Sequence, residues 1–125
     1  MTTEALGYIS DCLESLSIPY EFMVWTQGLS FPYAVGEYTE IESINEDGCE
    51  TGTFLLTVTT DKSFLILEEI KAKVKDFFPA DGRTAILDNG SGIAVSYSSS
   101  FPVLTGEQGL NRIQINLNIK EWKGE

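Results

Sequence analysis

The chain contains no histidine. That removes the side chain most used as a general base near neutral pH and as a metal ligand, and with it every Ser-His or Cys-His nucleophile. Basic residues are scarce as well: eight Lys plus Arg stand against nineteen Asp plus Glu, a net charge of −11. Affinity for nucleic acid comes from Lys and Arg that neutralise phosphates, so nucleic-acid binding is not expected as the primary role. The two cysteines, Cys12 and Cys49, have no metal-type or redox-type spacing, and two free thiols are expected. No apolar run approaches the ~20 residues needed to cross a bilayer. Met1-Thr2-Thr3-Glu4 has neither the basic start nor the apolar stretch of a signal peptide, so synthesis and folding in a cytoplasm are expected.

What is present is the makings of a globular domain. With 125 residues, 42% of them hydrophobic, the chain is expected to form a single domain over 1–125. Leu6, Ile9, Leu13 and Leu16 recur at helical spacing, predicting a helix from Thr3 to Leu16 with Thr2 or Thr3 as its cap. Pro19 ends it, and Tyr20–Trp25 reads as a strand. Strands are predicted next over Phe31–Ile41 and Thr51–Thr60, joined by the polar loop Asn45-Glu46-Asp47-Gly48 as an antiparallel hairpin. A second helix carries Phe64, Leu67, Ile70, Val74, Phe77 and Phe78 on one side, with Asp61 or Ser63 as cap and Pro79 as stop. Strands then follow at Thr84–Leu87 and Ile93–Tyr97 around the turn Asp88-Asn89-Gly90-Ser91-Gly92. Ser98-Ser99-Ser100 before Phe101-Pro102 reads as strand end and loop. The final strand, Asn111–Trp122, sets Ile113, Ile115, Leu117 and Ile119 in a strict period-two stripe. The expected fold is α+β, a mostly antiparallel sheet with two helices packed on one face, in the order α-β-β-β-α-β-β-β.

The chemistry such residues could carry is limited. Six acids fall between Glu37 and Glu50, namely Glu37, Glu40, Glu42, Glu46, Asp47 and Glu50. They do not match the calcium-loop pattern, whose oxygen ligands sit at fixed positions around a glycine. A solvated acidic hairpin, or a charged assembly surface, is the expected reading. Gly90-Ser91-Gly92 has no Lys-Ser/Thr after it and lies between strands, so it is read as a turn rather than a phosphate loop. Trp25, Tyr33, Tyr38 and Trp122 sit near strand ends; they suit core and edge packing or, as aromatic residues enriched in interfaces, contact with a partner. Neither catalytic residues nor metal ligands nor a cofactor site are expected. The residues describe an acidic α+β interaction protein.

Several strings resemble, in order, the small tail-terminator and tail-completion proteins of long-tailed bacteriophages. They are Phe31-Pro32-Tyr33-Ala34-Val35-Gly36-Glu37, Thr53-Phe54-Leu55-Leu56-Thr57-Val58, the helix Leu67–Val74, and Arg112-Ile113-Gln114-Ile115-Asn116-Leu117. The resemblance implies a ring of identical copies, a hexamer, seated on the head-proximal end of the tail tube and joining it to the head connector. Partners would be further copies of the chain, the tail tube protein and the connector protein. DNA would pass through without specific binding, no membrane would be involved, and the protein would move from host cytoplasm into the virion. Under that reading Glu40, Glu42, Glu46, Asp47 and Glu50 would line the channel or an assembly surface, since carboxylates repel passing phosphates. Trp25, Tyr38 and Trp122 would be partner contacts. Two other readings remain: a head-completion or neck protein of the same virus, and an acidic monomeric binding module of adaptor or immunity type.

Overall fold

The structure, a computed structural model, describes residues 1–23, 31–41 and 49–122. The elements are α1 (Thr3–Ser15), β1 (Tyr20–Phe22), β2 (Tyr33–Ile41), β3 (Cys49–Thr60), α2 (Phe64–Phe77), β4 (Arg83–Ile86), β5 (Gly92–Val103) and β6 (Asn111–Trp122). The fold is α+β. One six-stranded sheet, ordered β1-β2-β3-β6-β5-β4, curls into a half-barrel. It is mostly antiparallel; among the described residues β1 alone runs parallel to its neighbour, β2.

Helix ends follow their caps. Thr2 accepts from the Ala5 N–H at 3.1 Å, and Ser63 accepts from the Leu65 N–H at 3.2 Å, each relieving a donor that the first turn leaves without a partner. On α2, Lys71 pairs with Glu68 at 2.5 Å, which raises the lysine's pKa through that bond. Between β4 and β5, the Leu87 N–H donates to the Ser91 carbonyl at 2.7 Å, Ser91 N–H donates to Asn89 Oδ1 at 2.9 Å, and Gly90 takes φ +86°. Ser91 is thus a turn residue.

Strand boundaries differ from the sequence-based expectation by a residue or two at β3, β4 and the start of β5, and for identifiable reasons at three places. β1 ends at Phe22 because Met23 adopts φ +71°, a left-handed conformation that cannot continue a strand. β2 starts at Tyr33, since Pro32 has no N–H to give to a ladder. β5 runs through Ser98–Ser100 to Val103; a bulge between Tyr97 and Ser99 absorbs the irregularity that the serine run suggested.

The core is built by alternation. Phe54, Leu56 and Val58 of β3, Ile113–Ile119 of β6 at every second position, and Ile93 and Val95 of β5 form one buried cluster. The same cluster takes Ala5, Ile9, Cys12 and Leu13 from α1 and Leu67, Ile70 and Val74 from α2. Tyr20 leans on Phe54 with ring centroids 6.2 Å apart, and burial pushes its hydroxyl up to about 12. In the unfolded chain a tyrosine ionises near pH ~10. The stabilisation is therefore fully present below that pH and is lost as pH rises through about 12. Alkaline denaturation series of wild type and Tyr20→Phe should diverge above pH ~10, with the wild type losing stability faster; parallel curves would refute the burial of this hydroxyl.

Candidate functional site

The acidic hairpin is rooted on a set of charges at one end of the sheet. Glu40 of β2 pairs with the Met1 ammonium group. In the adjacent strands Glu50 stands opposite Glu121. Glu121 is buried, and its carboxylate accepts from the Thr2 hydroxyl at 2.5 Å and from the Thr2 N–H at 3.3 Å. A buried carboxylate is costly without such donors. Thr2 consequently does two jobs, capping α1 and fastening it to the end of β6. The period-two stripe of β6 already places Glu121 in line with Ile113–Ile119, a signal present in the sequence but not read from it.

Of the acids expected to share a surface, Glu42, Glu46 and Asp47 lie outside the described residues, as does Trp25. Glu40 and Glu50 come together near the Met1 amine and Glu121 around a small cleft. Among the described residues no group of three or more His, Cys, Asp or Glu could hold a metal ion. Cys12 and Cys49 are free and buried. Burial pushes the Cys12 thiol up, while the neighbouring Tyr8 hydroxyl and Arg83 guanidinium pull it the other way; burial likewise raises Tyr8.

The aromatic candidates separate. Tyr38 stacks on Phe22 with centroids 6.0 Å apart, and both stay partly exposed beside Met23, which is 61% exposed. These three form an apolar patch at the β1 edge of the sheet. At the opposite edge, β4 displays Ile86 at 79% exposure. Trp122 lies on the sheet face turned away from the core, its ring over Gly92: a Cβ built on that glycine would sit 3.5 Å from Trp122 Cε3.

That outward face carries a feature absent from the sequence reading. A groove of about 680 Å³ crosses β3, β6, β5 and β4 between Trp122 and the Ala80-Asp81-Gly82 loop. Cross-strand register sets its rows: Thr51, Lys120, Ala94 and Thr84 in one, Thr53, Asn118 and Ser96 in the next. Small residues on β5 (Gly92, Ala94, Ser96) leave the space. The polar alternation of β6 was visible in sequence, but a polar strand face is ordinarily just solvated; the groove comes from strand order, which sequence did not supply.

No family model matches the chain, and no curated protein does. Among solved structures, one that is 14% identical aligns with a TM-score of 0.65, covering 93% of this chain and 88% of that chain; its designation carries no functional words. At this identity the likeness speaks for the fold alone.

Proposed function

We propose that both helices cover one face of the sheet and that copies of the chain assemble edge to edge into a closed ring. The ring caps the head-proximal end of a phage tail tube and joins it to the head connector. The reading rests on one observation above all: opposite edges of the same sheet carry different exposed apolar side chains, Phe22, Met23 and Tyr38 by β1 and Ile86 on β4. A ring closes through a heterologous contact, in which two unlike patches of each copy meet head to tail. The element order and the quoted strings that resemble tail-terminator proteins supply the place of the ring. Its work is binding, with no bond made or broken, and the acid-rich hairpin at residues 40–50 supplies negative charge that repels passing DNA.

The net charge of −11 favours a second reading, a monomeric module that takes a cationic partner. Electron microscopy of particles made by a phage or prophage lacking this gene separates the readings. Overlong tail tubes beside filled heads are expected for a terminator; tails of normal length left unattached point to a joining role. Normal infectious particles would leave the binding module as the better reading.

A further inference from the structure

The outward face of the sheet is divided by charge. On the β1–β2 side it presents Glu21 and Glu37, whose registers with Val35 and Leu55 place both acids on that face. From β3 across β6 and β5 to β4, the residues in register on this face include no acid at all, in a chain with nineteen, and include Arg112 and Lys120. The two cations differ in their surroundings. Arg112 donates to Thr59 Oγ1 at 3.0 Å, and nearby Gln114, Asn116 and Ser99 bond to one another. Around the groove, by contrast, the side chains of Thr51, Thr53, Ser96, Asn118 and Lys120 make no hydrogen bond or ion pair among the described residues. One half of the face is satisfied internally; the other holds unspent donors and a lysine in a concave site beside an exposed tryptophan face. Asp81, from the loop before β4, also lines the groove.

We propose that this groove is the seat for a second copy of the chain, which presents the outward face of its β2 strand, with Glu37 meeting Lys120. The inference rests on the ring reading above and gives that ring its polar contact. Charge complementarity selects the occupant. Copies that each carry −11 repel one another over most of their surfaces, so association needs a place where one copy's acids meet strands whose outward residues carry Lys120 and Arg112 and no acid. Hydroxyl and amide groups around Lys120 supply donors for the incoming carboxylates, and the Trp122 ring supplies flat apolar area of the kind enriched at interface centres.

The test is a charge exchange read by sedimentation velocity and native mass spectrometry on the full chain. Wild type should self-associate. Lys120→Glu and Glu37→Lys, both at exposed positions, should each weaken that association on the order of tenfold or more, because each sets like charges against each other at the contact. Mixed in equal amounts, the two variants should associate again, since each then offers its partner the opposite charge at both contacts; circular dichroism checks that each variant is folded. Single variants that assemble as well as wild type would overturn the docking and leave the ring standing. A discrete dimer disrupted and restored in this pattern would uphold the docking and sink the ring. A wild type that stays monomeric at every concentration would overturn both.

Discussion

Truncating Phe54 to alanine is expected to destabilise the protein by about 3–5 kcal/mol, read as a fall in the midpoint of urea unfolding with an unchanged slope. Phe54 is fully buried in the middle of β3, between β2 and β6, and packs against Tyr20. Its ring fills the space above Gly36, where the neighbouring strand has no side chain. The position cannot collapse easily: on the β2 side the cavity left would be floored by the Gly36 backbone, which has no side chain to move in, and cavities that do not close put the cost in the upper part of the range. A loss below about 1.5 kcal/mol, the size of a volume-conserving core swap, would mean that the ring is not enclosed as described.

Gly36→Ala is the complementary experiment, and its sign is informative. In an ordinary strand, alanine in place of glycine gains roughly 0.5–1 kcal/mol through the lower entropy of the unfolded chain. Here a Cβ would lie 2.6 Å from Tyr20 Cε1 and 2.7 Å from its hydroxyl oxygen, and closer still to Phe54 Cζ. Overpacking of this kind costs about 1–3 kcal/mol, which exceeds the propensity gain, so net destabilisation is expected. Two aromatic rings cause the clash, and since Phe54 Cζ is the nearest atom, Phe54→Leu should relieve part of it. A double-mutant cycle should return a coupling of about 0.5–3 kcal/mol in the rescuing direction. Additive effects would show that Gly36 and Phe54 do not share the space.

Much of the fold was legible because it depends on local pattern. The spacing of Ile9 and Leu13, the cap residue Thr2, the run Leu67–Ile70–Val74 and the alternation Ile113–Ile119 each determine an element by themselves. What escaped depends on partners distant in sequence. Nothing in Tyr20-Glu21-Phe22 says that it pairs in parallel with Ala34–Gly36, and Ser98–Ser100 continues as strand only because β6 lies beside it. The site divides the same way. Tyr38 and Trp122 were identifiable as aromatic residues near strand ends, whereas the groove below Trp122 requires Thr51, Asn118 and Ser96 to be brought into adjacent rows by three strands. Acid density pointed to the hairpin, but the acid-free face opposite it can be seen only once register is known.

The position of β6 also bears on how the protein is made. It is the sixth strand in chain order yet lies between β3 and β5, so it joins the β1-β2-β3 unit to the β4-β5 hairpin. On the ribosome, five strands emerge before the one that unites them. Until it arrives, the edge of β3 next to Phe54, Leu56 and Val58 and the edge of β5 next to Ile93 and Val95 are open ladders flanked by apolar side chains, the kind of edge that recruits other chains. The nascent protein must therefore carry two unfinished half-sheets, and release, holding by a chaperone, or a truncation upstream of Asn111 decides whether they find β6 or each other's neighbours.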